Sequence, residues 1–376
     1  MGQIAKQQVG ESTNFLKTVV GKAKQLMVDT TRWGLVVMDG VKAGGYPVLG
    51  AHEMSNRNTL VNSDGVVAQE AIGTPINDDT YSFDQWITLS DGNGVVTPSQ
   101  ETSDLPNGAR SAMKLTVAVA NKKFGLLQIV EGNNCKHLIN DVATLAASAK
   151  ASGLSNLRVA VLSWTGTEDS VTSDVVSTWN AVGVDPTLAT NWVYENTPVD
   201  IALTTTWQRD FKAEGIPIDA SSAKQVAVFI WVDDTDAAIS DYLLLSNVQL
   251  EKGRVVTVFE SRTIGEEIAL CQRYFSKSYK IDVDPGSVSS AGNIYETDTR
   301  NNAGQSPGTR FPVEMRTEPT VVIYSTVTGS SGKVDNLGDK TAAAQRVGAP
   351  GIGFVAITSG TTGTFCAYHF TADARL

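Results

Sequence analysis

Four aromatic residues, Trp164, Trp179, Trp192 and Tyr194, fall in or beside a long stretch rich in Thr, Ser, Asp and Asn that separates two apolar runs. A sugar ring presents C–H faces that stack on aromatic planes while its hydroxyls bond to nearby amides and carboxylates, so exposed rings of this kind can form a glycan platform. The alternative is packing, in which the same rings cap a core or fill a subunit interface. A second cluster, Asp233, Asp234, Asp236 and Asp241, follows an apolar run, and Asp233, Asp234 and Asp236 are the candidates for a metal. Hard carboxylate oxygens suit Ca2+, but the loop lacks the glycine and spacing of an EF-hand, and a solvated turn is the plainer reading.

Beyond these, the chemistry is sparse. The chain contains no H-E-x-x-H, G-x-S-x-G, G-x-x-x-x-G-K-[ST] or strand-linked G-x-G-x-x-G, the motifs that would mark metalloprotease, hydrolase, phosphate-binding or dinucleotide sites. His52, His137 and His369 are far apart, and His369 alternates with Tyr368 and Phe370 as a strand residue would. A satisfied structural histidine is expected there rather than a general base. A glycosidase needs two acids held across a cleft, and nothing selects one pair among 40 Asp and Glu. The expectation is a protein without catalytic activity and without a cofactor. Cys135, Cys271 and Cys366 follow no metal-ligand spacing and read as buried thiols in a reducing compartment.

The elements that must position these residues are mainly strands. With 376 residues, 41% hydrophobic and 19% charged, the chain can build more than one core. Its formal charge of −10 argues against nucleic acid as a main partner. No run of about 18 apolar residues is present to cross a membrane as a helix, and no signal-peptide pattern opens the sequence, so synthesis in a cytoplasm is expected. Within residues 1–50, which are net positive, Leu16, Val20, Ala23 and Met27 recur at helical spacing, predicting an amphipathic helix over 12–28. Its stripe would pack on its own chain or on copies of itself.

From 58 to 260 runs of Val, Ile, Leu, Phe and Trp are bounded by Gly, Asn, Asp and Ser, predicting strands over 112–119, 124–130, 157–164, 207–213, 226–232 and 242–250. The run VAVFIWV at 226–232 is apolar throughout, as a strand covered on both faces would be. One helical interlude is predicted, with Val142, Leu145, Ala146 and Ala149 along one side. An antiparallel jelly-roll sandwich fits this spacing, because no helix alternates with the strands. GEEIALCQRYF at 265–275 predicts a short helix, and shorter strands at 320–325, 353–357 and 365–370 predict a smaller β domain after it. The expected division is 1–50, a sandwich over 51–262, a helical linker over 263–280 and a β domain over 281–376. No fixed-period repeat points to a β-helix or propeller.

Several stretches resemble bacteriophage fiber proteins. DTTRWGLVVMDGVKAGGYPVLG at 29–50 is similar to a β-turn element near tail-fiber N-termini, through Asp39, Gly40, Gly44, Gly45 and Pro47. NTLVNSDGVVAQEAIG at 58–73, YSFDQWITL at 81–89 and ARSAMKLTV at 109–117 resemble the opening of carbohydrate-binding-module-like domains in phage fibers. LLSNVQLEKGRVVTVFESR at 244–262 resembles their closing strand, with Val256 in place of a small residue. EIALCQRYFSKSY at 267–279 is similar to the helix that follows, through Glu267, Cys271, Gln272, Arg273, Tyr274 and Phe275. FPVEMRTEPTVVIY at 311–324 and FCAYHFTADARL at 365–376 resemble the family's C-terminal β domain. The resemblance implies a homotrimeric virion fiber, on tail or head, that docks to other virion proteins through its first 50 residues and displays its β domains to a host-surface glycan. The runner-up is a structural decoration or connector sleeve that binds no glycan; a polysaccharide-degrading tailspike is disfavoured.

Overall fold

The computed structural model describes residues 25–29, 34–38, 46–48, 57–70, 72–233, 237–297, 305–357 and 365–376. The chain divides into two units, residues 1–57 and 58–376. In the first, β1 (Gln25–Asp29), β2 (Gly34–Met38) and β3 (Tyr46–Val48) form an antiparallel meander. Met27 pairs with Val36 on β2, which corrects the helix predicted to run through residue 28. The β-branched run on β2 offers β1 a ladder of backbone hydrogen bonds, and pairing outweighs a helical stripe only a few turns long. Leu16, Val20 and Ala23 lie outside the described residues.

The second unit opens with an antiparallel sandwich. Its strands are β4 (Thr80–Tyr81), β5 (Ile87–Ser90), β6 (Val96–Glu101), β7 (Ala112–Val117), β8 (Phe124–Ile129), β9 (Val142–Ser152), β10 (Asn156–Trp164), β11 (Val176–Thr178), β12 (Thr187–Leu188), β13 (Trp192–Tyr194), β14 (Ile201–Ala202), β15 (Gln208–Pro217), β16 (Gln225–Val232) and β17 (Tyr242–Lys252). A seven-stranded sheet has the order β13-β10-β16-β8-β5-β4, with β14 also on β10. A five-stranded sheet has the order β15-β9-β17-β7-β6. Between them lies a core that includes Leu60, Trp86, Phe124, Leu145, Val159, Phe211, Val228, Ile230, Leu243 and Leu245. The protein is mainly β, as its composition and patterning predict.

The alanine-rich run at 142–152 is strand β9, not the predicted helix. It pairs with β15 on one side and β17 on the other. Ala143, Leu145, Ala147, Ala149 and Ala151 enter the core, an alternation of period two that small side chains disguise because alanine favours helix in isolation. Thr144, Ala146 and Ser148, which point the other way, are buried too. Covering that face, Thr257 and Glu260 bond to Glu251 and Gln249.

The helix Ile264–Gln272 starts with a capping box: Thr263 accepts from the Glu266 amide and the Glu266 carboxylate accepts from the Thr263 amide. It joins the sandwich to the last sheet through buried polar contacts. Glu267 accepts from the Asn62 amide at 2.8 Å, and Arg262 reaches the carbonyls of Asn58 and Leu60. Arg273 forks onto Glu131 at 2.7 and 3.1 Å, and Tyr274 donates to the same carboxylate at 3.0 Å.

The final sheet contains β18 (Phe275–Lys277), β19 (Ile294–Glu296), β20 (Gln305–Pro307), β21 (Thr320–Ser325), β22 (Lys333–Asp335), β23 (Asp339–Gly348), β24 (Gly351–Ile357) and β25 (Cys366–Asp373). β25 is central, pairing with β18, β19, β21 and β22. Phe311, Met315, Val334, Tyr368 and Phe370 fill its core. Arg375 lies 4.1 Å from the Tyr81 ring centroid and 4.6 Å from that of Phe275, tying this sheet to the sandwich.

Candidate functional site

The aromatic residues singled out in the sequence converge on one surface, the outer face of the seven-stranded sheet. Partners in an antiparallel ladder share a face, so the register aligns Trp192 with Trp164, Tyr194 with Leu162, Ala160 with Phe229 and Arg158 with Trp231. Phe229 and Trp231 stack at 4.6 Å with 15° between their planes. Trp231 lies opposite Gly125 on β8. A Cβ at Gly125 would meet the Ile230 carbonyl oxygen at 2.3 Å and Trp231 Cβ at 2.7 Å, so glycine is what allows the indole to be seated there.

Burial separates the four rings. Trp164 and Trp192 are 4% and 5% exposed, with centroids 5.2 Å apart. Their Nε1 groups donate to the carbonyls of Thr167 and Thr172, at 2.8 and 2.9 Å. The segment after β10 is therefore folded over the rings and pinned by them. A ring enclosed in this way has no face for a sugar, which corrects the platform reading for Trp164 and Trp192: both are packing residues. Trp179 and Tyr194 are half-buried. Trp179 packs 5.9 Å from Phe229, and the Tyr194 hydroxyl donates to the Pro186 carbonyl at 2.9 Å. Burial, followed by the Asp185 carboxylate, pushes the Tyr194 hydroxyl up, keeping it a neutral donor.

At one end of the face sits a charged network that sequence reasoning missed. Arg158 donates from Nε to Asp200 at 2.7 Å and from Nη1 to Asp185 at 2.6 Å. Its Nε also lies 3.3 Å from Asp233, and Asp233 pairs with Lys123 and accepts from the Gly183 amide at 2.7 Å. The Arg158 and Asp233 side chains are 6% and 0% exposed, whereas Asp185 and Asp200 are 30% and 40% exposed. Asn180, next to Trp179, donates to the Asp185 carbonyl at 2.7 Å, so ring and carboxylate belong to one loop. The signal was a lone Arg inside the apolar run NLRVAVLSW: a cation on a buried strand requires a carboxylate beside it.

This network also corrects the metal reading at Asp233. Its carboxylate is enclosed and already neutralised by two cations, which would repel a third. Asp234 and Asp236 lie outside the described residues, and Asp241 accepts from the Ala238 amide within its own turn. Among the described residues no group of three His, Cys, Asp or Glu side chains could hold a metal ion. His369 is fully buried and stacked 3.8 Å from Tyr279. Its Nδ1 lies 2.8 Å from Ser278 Oγ and its Nε2 3.0 Å from the Ser289 carbonyl, so both nitrogens are satisfied by a neutral ring. His137 lies 3.4 Å from Thr59, and His52 lies outside the described residues. No helix among the described residues is long and apolar enough to cross a membrane.

No protein-family model matches the sequence, and no curated protein matches it. Among solved structures, TmCBM61 in complex with β-1,4-galactotriose is similar at 13% identity and a TM-score of 0.30, over 52% of this chain and 99% of that one. The CBM22-1 xylan-binding domain from Paenibacillus barcinonensis is similar at 11% identity and 0.30, over 51% and 100%. The enzymatically active domain of tailspike protein 4 from bacteriophage CBA120 is similar at 13% identity and 0.32, over 56% of this chain and 25% of that chain. Likeness at this level carries no argument about function; the sandwich assignment rests on the strand order and register described above.

Proposed function

We propose that this chain is a non-catalytic bacteriophage fiber protein, part of the virion and homotrimeric, whose sandwich binds a host-surface saccharide. The carrying observation is the juxtaposition of half-buried Trp179 and Tyr194 with Asp185 and Asp200, whose carboxylates are anchored by buried Arg158 yet still reach solvent. A sugar needs an apolar plane for its C–H face and fixed acceptors for its hydroxyls, and this loop supplies both. Anchoring on Arg158 fixes the acceptors before the ligand arrives, which lowers the ordering cost of binding. Display in three copies multiplies weak contacts by avidity. The virion and trimer parts of the reading are supported by the fiber-like motifs, with residues 1–50 as the docking segment.

The test is adsorption to host cells and binding to their extracted polysaccharide, with reducing-end release followed in the same samples. Trp179→Ala should lower binding at least tenfold in a protein that still unfolds cooperatively, with no sugar released. Binding left intact by Trp179→Ala and Tyr194→Ala would overturn the site, and release of sugar would overturn the non-catalytic role. The enclosure of Trp164 and Trp192 favours one second reading, a structural decoration or sleeve protein, which predicts no binding to either preparation. Removal of residues 1–50 should abolish incorporation into particles under either reading.

A further inference from the structure

The last sheet contains a cavity of about 520 Å³ at the turn between β23 and β24, with Arg310 and Arg346 in its wall. Its shape follows from glycines at which two backbones nearly touch. A Cβ at Gly308 would fall 1.8 Å from the Ile352 carbonyl oxygen, and one at Gly351 would fall 2.4 Å from that of Thr309. Arg310 bridges to Gly351, and the Ile352 amide donates to Thr309 at 2.9 Å, holding the 308–311 segment against the hairpin. Gly353 permits the approach of Arg346, whose Cβ would be 2.8 Å from a Cβ there. The Arg346 guanidinium lies 5.6 Å from the Phe354 ring centroid, within reach of a cation–π contact.

Neither guanidinium has a carboxylate partner among the described residues, whose ion pairs lie elsewhere. In a chain with 40 acidic against 30 basic side chains, two adjacent unpaired arginines reverse the prevailing charge locally. Guanidinium forks match a carboxylate in a bidentate way that a lysine does not reproduce. The volume lies in the range of sites for organic ligands and is generous for a bare inorganic anion.

We propose that this cavity binds a carboxylate-bearing sugar, a uronic acid unit, through Arg310 and Arg346. The site is separate from the sandwich loop and does not rest on the function proposed for it. The acidic body repels long polyanions, so the ligand is a single acidic unit or a chain end, and binding weakens as salt screens the pair.

The test is calorimetry on the full chain with digalacturonate, neutral galactobiose and inorganic phosphate as probes. Digalacturonate should bind, with affinity reduced at least tenfold in Arg310→Gln and in Arg346→Gln. Arg310→Lys should lose most of the affinity while keeping the charge. Because Arg346 has a φ of +50°, its variant is accepted only with an unchanged melting temperature; exposed Arg310 supplies the independent variant. No binding of digalacturonate, binding undiminished in both glutamine variants, or phosphate or galactobiose binding that is equally strong and equally lost in those variants would overturn the proposal.

Discussion

Asp233 shows how one side chain settles the use of its neighbours. It closes a buried pair with Lys123, reaches Arg158 and orders the loop through the Gly183 amide. Asp233→Asn would leave buried Lys123 without its counter-charge, since Arg158 keeps Asp185 and Asp200, and a loss of about 3–5 kcal/mol is expected, read as a lower urea midpoint. A loss below about 1 kcal/mol would mean that the network is far better hydrated than its burial implies. His369 gives a pH signature. Burial lowers its pKa, with the bond to the Ser289 carbonyl opposing. The folded state therefore holds the ring neutral, while the unfolded chain takes up a proton below about pH 6.5. Stability from this group is full above that pH and is lost as pH falls from there through the lower folded value. The difference in urea midpoint between wild type and His369→Phe should narrow as pH falls from 7.5 to 5; a constant difference would contradict the assignment.

Elements differ in how far their sequences announce them. β16, apolar from 226 to 232, was legible as a doubly covered strand, and the helix at 264–272 was legible from the apolar spacing of GEEIALCQRYF, though its cap was not read. β9 was not, because alanine's intrinsic preference conceals a period-two pattern that only β15 and β17 reveal. The same limit applied to the site. The concentration of Trp164, Trp179, Trp192 and Tyr194 was legible, yet which rings are enclosed depends on a loop folding back, and no periodicity records that. Two substitutions test the elements themselves. Gly125→Ala should cost at least about 2 kcal/mol, since β16 must move off β8 to admit the methyl group. Thr263→Ala should cost about 1 kcal/mol through loss of the capping box. Thermal or urea unfolding would check both, and a neutral Gly125→Ala would show that the Trp231 seat is softer than its contacts suggest.

At the scale of the whole molecule, the fiber-like motif at 267–275 acquires a physical explanation. Glu267 holds the Asn62 amide, Arg273 and Tyr274 grip Glu131, and the Phe275 carbonyl accepts from Gln69 at 2.7 Å. These residues form a polar seam between sandwich and final sheet within residues 58–376. Calorimetry on that unit should give one transition, because each side of the seam would otherwise carry buried unpaired groups. Arg273→Ala should cost about 1.5–3 kcal/mol and begin to separate the two sides. Two resolved transitions in wild type would show that the seam does not couple them.

The three free cysteines are spread over this architecture: Cys135 in the short helical turn Gly132–Cys135 beside the sandwich, Cys271 in the helix of the seam and Cys366 on β25. Burial pushes the thiols of Cys135 and Cys366 up to about 11 and that of Cys271 well above its ordinary value. Alkylation requires an accessible thiolate, so each remains silent until its own surroundings open. The protein thus carries three internal stopwatches, and timed iodoacetamide labelling read peptide by peptide would rank the regions by how often each breathes, with no engineered probe.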